Sequence, residues 1–126
     1  MTIRMDVSFV IRGDNFSPTL LEKKTGWTLS RKKLKSAVFC PPTSLSNNDN
    51  GEAGVEWIVE KVGNYKNILK QCGADDCYLD IAVYYIGQCN MEFEPDLLRK
   101  ISELNVPFWI SCYENYDDCL LNYHEN

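Results

Sequence analysis

A chain of 126 residues, 44% hydrophobic and 12% aromatic, has the size of one domain and enough apolar character for a core, which excludes global disorder. No apolar run approaches the ~20 residues of a membrane-spanning helix, and Arg4, Asp6 and Arg12 interrupt the opening stretch where a secretory leader would be apolar, so a cytoplasmic location is expected. A formal charge of −5 at pH 7 disfavours nucleic acid as the main partner and favours a cationic one.

Ile3, Met5, Val7, Phe9 and Ile11 alternate with Arg4, Asp6, Ser8, Val10 and Arg12, a period of two that predicts a first strand with one buried face. Gly13-Asp14-Asn15 breaks it. Ser17 then caps a short helix opened by Pro18, whose missing N–H costs nothing at that position, and Gly26 stops it. Trp27-Thr28-Leu29 and the stretch from Leu34 to Phe39 read as extended chain on either side of the basic run Arg31-Lys32-Lys33. Cys40-Pro41-Pro42 ends that region, since neither proline can donate to a ladder. Residues 41–54, rich in Ser, Asn and Gly, read as a flexible loop.

From Val55 the period lengthens. Val55, Ile58, Val59, Val62, Leu69 and Cys72 fall on one helical stripe, with Tyr65 and Ile68 beside it and Gly63 as a weak point of ~1 kcal/mol relative to Ala. Gly73 stops that helix. Cys77, Leu79, Ile81, Val83 and Tyr85 alternate with Tyr78, Asp80, Ala82 and Tyr84, which predicts a second clear strand. Glu94 and Pro95 open a further helix with Leu97, Leu98, Ile101 and Leu104 as its buried stripe. Asn105 ends it, and residues 106–113 form the last strand, with Pro107 at its tolerant first position.

Phe16-Ser17-Pro18-Thr19-Leu20-Leu21-Glu22-Lys23 returns 77 residues later as Phe93-Glu94-Pro95-Asp96-Leu97-Leu98-Arg99-Lys100. Each copy follows an apolar strand, so the repeat predicts two strand–helix–strand units, each crossing right-handedly. The expected fold is a single α+β domain over residues 1–126: a ferredoxin-like sandwich of two βαβ units on a largely antiparallel sheet, with an additional helix between the halves. Residues 117–126 are expected to form a loosely ordered acidic tail.

Six cysteines are consistent with reduced, structural thiols. No Cys-x-x-Cys pair exists, and Cys77 and Cys112 share parity with buried apolar neighbours, so both are expected inside; no metal or cofactor is implied. His124, the lone histidine, stands near the end of the chain, and Asp75-Asp76 sits in a turn where carboxylates commonly bond local backbone. No P-loop, Rossmann, EF-hand or metalloprotease motif occurs, which points away from an enzyme.

The opening Phe9-Val10-Ile11-Arg12-Gly13-Asp14, the helix from Pro18, the amphipathic helix with Tyr65-Lys66, the second copy of the repeat and the closing Ile110-Ser111-Cys112-Tyr113 carry a family likeness. In these stretches the chain resembles a bacterial family of small proteins catalogued as domain of unknown function 4279. The resemblance implies the fold and transfers no catalytic residue.

Charge divides unevenly. Residues 1–54 carry eight basic and five acidic side chains, a net +3, whereas residues 55–126 carry five and thirteen, a net −8. Near the end, Tyr113, Glu114, Tyr116, Asp117 and Asp118 interleave aromatics with carboxylates. Tyrosine offers contact area at low rotamer cost and carboxylates pair with Arg or Lys, so these five residues are the candidate partner-binding site. The functional expectation is a stoichiometric protein-binding module, such as an immunity protein covering a cationic bacterial toxin, for example a nuclease. The alternative is a homo-oligomeric housekeeping domain that binds itself or a small metabolite. The basic run from Arg31 to Lys35 is expected to be a solvated face rather than a phosphate site.

Overall fold

The computed structural model describes residues 2–46 and 52–114. The opening alternation forms strand β1 (Thr2–Arg12), which buries Met5, Val7, Phe9 and Ile11 on one face and leaves the intervening side chains half-exposed on the other. Helix α1 (Pro18–Thr25) follows, with the Ser17 hydroxyl accepting the Leu20 N–H at 3.2 Å. Gly26 stops it in the left-handed region at φ 79° and donates its N–H to the Glu22 carbonyl.

Strands β2 (Ser30–Lys33) and β3 (Ser36–Phe39) form a hairpin through Leu34-Lys35. This corrects the reading of residues 30–33. The basic run is itself a strand rather than a break between extended pieces. It lies at the sheet edge, where lysines repel unwanted strand pairing, and Arg31 at φ 49° marks an irregularity in its register.

Residues 41–54 are not one loop either. Helix α2 (Thr43–Ser46) lies within them, and helix α3 (Glu52–Asn64) begins there. The expected long helix is broken at Tyr65, two residues after Gly63, and resumes as α4 (Lys66–Gln71) before Gly73 turns the chain at φ 86°. Strand β4 (Tyr78–Ile86), helix α5 (Pro95–Glu103) and strand β5 (Phe108–Glu114) complete the described chain.

The sheet is five-stranded and mixed, in the order β2-β3-β1-β4-β5. β1 runs antiparallel to both β3 and β4, β2 is antiparallel to β3, and β4 is parallel to β5. The α+β class is as the sequence predicts. The ferredoxin-like arrangement is not, because its strand order differs. Only β4–α5–β5 joins parallel neighbours. The first copy of the repeat leads from β1 into a hairpin whose second strand returns antiparallel beside it.

The two copies also pack differently. In α1 the second leucine of the pair, Leu21, is fully buried and Leu20 is exposed; in α5 the first, Leu97, is buried and Leu98 is exposed. The repeat therefore marks a helix start and does not fix which side of that helix meets the core. Leu98 drops out of the expected stripe for this reason, whereas Leu97, Ile101 and Leu104 remain in it.

One core joins β1, β3, β4 and the helices, with Phe9, Ile11, Leu21, Ile58, Leu79 and Ile81 among its fully buried side chains. Each such side chain contributes about 1.5–3 kcal/mol by leaving water. Cysteine burial is uneven. Cys72 is buried and Cys77 is half-buried, but Cys112 is exposed. Cys112 has the parity of the inner face, yet β5 is the outermost strand, and its inner side is only partly covered.

Candidate functional site

β1 and β4 each show one face to the core, and the other face carries Arg4, Asp6, Ser8 and Arg12 on β1 and Tyr78, Asp80, Ala82 and Tyr84 on β4. Register then decides what β5 adds. Asp80 pairs with Trp109, Ala82 with Ser111 and Tyr84 with Tyr113, so Trp109, Ser111 and Tyr113 join this outer face.

Large groups gather there in two rows across three strands. In the first, the Arg12 guanidinium lies 4.8 Å from the Tyr78 ring centroid, and Tyr78 stacks on Trp109 at 4.3 Å. In the second, Arg4 lies 5.2 Å from the Tyr84 centroid, and Tyr84 stacks on Tyr113 at 5.3 Å. Tyr78 and Tyr84 are six residues apart on one strand, so the rows stand about 20 Å apart at strand rise. Between them lie the smaller Ser8, Ala82 and Ser111 with Asp6 and Asp80.

The charges on this face are not equivalent. Arg4 grips Asp6, with Nη2 to Oδ2 at 2.7 Å, and Arg12 pairs with Asp76 at 3.2 Å while also donating to the Asp76 carbonyl. Asp80 makes no ion pair among the described residues. Both arginines are therefore already matched, whereas Asp80 lies between the aromatic rows without an ion pair among the described residues. Trp109 and Tyr113 are each about half exposed, at 52% and 51%, a large apolar area for a sheet surface.

Of the five residues expected to bind a partner, the structure places two. Tyr113 lies on the outer face against Tyr84. Glu114, the next residue, points to the opposite side, opposite Tyr85, whose phenol is raised above its ordinary pKa first by partial burial and after it by the Glu114 charge. Tyr116, Asp117 and Asp118 lie outside the described residues, as do Cys119 and His124. Asp76 is engaged by Arg12, and Lys32 of the basic run pairs with Glu22 at 3.1 Å. Among the described residues, no three His, Cys, Asp or Glu side chains are placed to hold a metal ion. No described helix is long and apolar enough to cross a membrane.

Tyr78, Asp80 and Trp109 were not among the expected site residues. The alternation of β4 already put Tyr78, Asp80 and Tyr84 on one face, which was a usable signal. Their alignment with Trp109 and Tyr113 depends on the β4–β5 register, which no single strand encodes. No family model, curated protein or solved structure matches the chain, so the family likeness rests on the residues quoted for it.

Proposed function

We infer that this is a non-catalytic, cytoplasmic protein-binding module whose contact surface is the outer face of β1, β4 and β5. The observation that carries the reading is Asp80, unpaired among the described residues and set between the Tyr78–Trp109 and Tyr84–Tyr113 stacks. An arginine from a partner would pair with that carboxylate and lay its guanidinium against an aromatic ring, a combination common at interface centres. An immunity protein that neutralises a cationic toxin fits this chemistry. The chain's net charge of −5 would speed its encounter with a basic cleft. Tyr113 belongs to this surface, whereas Glu114 points to the other side of β5, and Tyr116, Asp117 and Asp118 lie outside the described residues. The likeness to the domain of unknown function 4279 family is compatible with such a module and adds no site.

Co-expression with the product of the adjacent reading frame tests the reading, scored by rescue from toxicity and by co-purification. Rescue that is lost with Asp80→Asn and with Trp109→Ala supports the sheet face. Loss only on changing Glu114, Asp117 and Asp118 together to Ala would move the site to the chain end. The absence of both rescue and co-purification would overturn the immunity reading.

A second reading, self-association, is favoured by β5, the outermost strand among the described residues, which exposes Ile110 as well as Trp109 and Tyr113. A concentration-dependent dimer in sedimentation, abolished by Ile110→Lys, would establish it.

A further inference from the structure

Trp57, Lys61 and Tyr65 recur at four-residue intervals, which brings them to one side of α3 and its end. Two more aromatics face them from elsewhere in the chain. Trp27 follows the glycine that stops α1, and Phe39 closes β3 just before Cys40-Pro41-Pro42. Trp27 lies flat on Phe39, with centroids 4.0 Å apart and planes 8° from parallel. Tyr65 meets Trp27 edge-on at 5.2 Å, and Trp57 leans on Phe39 at 5.3 Å. These four rings share the wall of a cavity of about 370 Å3, inside the size range of small-molecule sites.

A packed core would have closed such a space with aliphatic side chains. Here Trp27, Trp57 and Tyr65 are all only half-buried, so aromatic surface remains open to the cavity. Among the described residues, Lys61 is the one side chain on the wall that carries full charge, and no carboxylate lines the space. Its ammonium sits 5.6 Å from the Trp57 centroid and makes no ion pair among the described residues. The Cys40 thiol also lines the cavity. Partial burial raises its pKa, against the pull of Arg31, so it stays a neutral thiol near pH 7 and brings no negative charge. The Thr25 hydroxyl is occupied, donating to the Leu21 carbonyl and accepting the Trp27 N–H. The Thr28 hydroxyl makes no hydrogen bond among the described residues and can meet a ligand oxygen.

We propose that this cavity is a binding site for a planar aromatic carboxylate, with its ring against the aromatic wall and its carboxylate on Lys61 and Thr28. The electrostatics select the sign: an aromatic cation would meet Lys61 with no carboxylate among the described lining residues to offset it. The four rings select the shape, since a saturated ring cannot stack. This site is separate from the outer sheet face, and neither reading depends on the other.

The test uses the full chain and 2-naphthoate, with 2-naphthylmethylammonium and cyclohexanecarboxylate as matched probes, followed through the indole N–H signals in proton–nitrogen correlation spectra. Naphthoate should shift the signals of Trp27 and Trp57 saturably and leave that of Trp109 in place. Lys61→Gln, on an exposed side chain, should weaken binding by about tenfold, and Lys61→Arg should restore most of it. Both matched probes should bind more weakly than naphthoate. Asp80→Asn should bind naphthoate as the unaltered chain does. Equal affinity for the cation and the anion, an unchanged affinity in Lys61→Gln, or shifts centred on Trp109 would each overturn the proposal.

Discussion

Tyr78 and Trp109 stack with ring centroids 4.3 Å apart and planes 22° from parallel, although the residue in register with Trp109 is Asp80. The indole therefore reaches diagonally along the sheet to the tyrosine rather than stacking on its register partner, and Asp80 beside it is half-buried. Such a stack contributes about 0.5–1.5 kcal/mol beyond the area it buries. Trp109 is half exposed, so Trp109→Ala should lower unfolding stability by no more than about 2 kcal/mol, with an unchanged denaturant slope. Partner affinity in the same variant should fall by more than tenfold, because a central aromatic anchor is removed. A variant that loses stability and keeps its affinity would assign Trp109 to the fold alone.

Asp80 gives the opposite signature. No ion pair among the described residues holds it, so Asp80→Asn should leave the unfolding free energy from urea titration within about 0.5 kcal/mol of the unaltered chain. The same change should weaken a cationic partner and flatten the dependence of affinity on salt, since one charge pair leaves the interface. Calorimetry at two ionic strengths checks this. Asp6→Asn is the informative comparison, because Asp6 is held by Arg4 at 2.7 Å and its loss disturbs the free protein as well.

Gly26 and Gly73 both lie in the left-handed region, at φ 79° and 86°, yet alanine should be tolerated at only one of them. A Cβ on Gly26 meets nothing within 4 Å, so Gly26→Ala should cost about 1 kcal/mol, the ordinary penalty of that conformation. A Cβ on Gly73 would overlap the Asn15 carbonyl and come within 2.9 Å of the Phe16 nitrogen. Both obstacles are backbone, in a segment already tied to α4 by the bond from the Ser17 N–H to the Cys72 carbonyl at 3.1 Å. Gly73→Ala should therefore cost at least about 3 kcal/mol by denaturant titration. Equal losses at the two sites would mean that this contact yields.

The sequence was most legible where a pattern is local. Alternation in β1 and β4, the Ser17–Pro18 start, the Gly26 and Gly73 stops and the buried stripe of α3 each depend on a few adjacent residues, and all are present. Legibility ended where partners are distant. Two Phe-x-Pro-x-Leu-Leu segments suggested two equivalent crossovers, but a helix start says nothing about the strand beyond it, and the hairpin of β2 and β3 intervenes after only the first. Charge misled in the same way. Arg31-Lys32-Lys33 looked like a break because an edge strand needs no apolar face. For the candidate site, Tyr113 was proposed from its own neighbourhood, and its place on the outer face follows from the same register as Trp109. Trp109 and Asp80 required the register between two strands more than 20 residues apart in sequence.

Glu22 ties α1 to the following strand and should make stability depend on pH in the acid range. Its carboxylate accepts the Leu29 N–H at 2.8 Å and pairs with Lys32 at 3.1 Å. The backbone bond, and after it Lys32, hold its pKa below the ordinary 4.5. Between that lowered value and 4.5 the unfolded chain binds more protons at this site than the folded one, so stability rises with pH through the window. The contribution is complete above 4.5 and is lost as pH falls through the folded value. Glu22→Gln keeps an oxygen for Leu29 but cannot titrate. Its urea midpoints should lie below those of the unaltered chain at pH 6 and converge with them as the pH falls toward about 3. Lys32→Gln should flatten the acid limb less than Glu22→Gln does, because the backbone bond is the larger cause of the shift. A gap between the Glu22→Gln and unaltered curves that persists undiminished down to about pH 3 would show that the Glu22 carboxylate contributes through packing rather than through its charge.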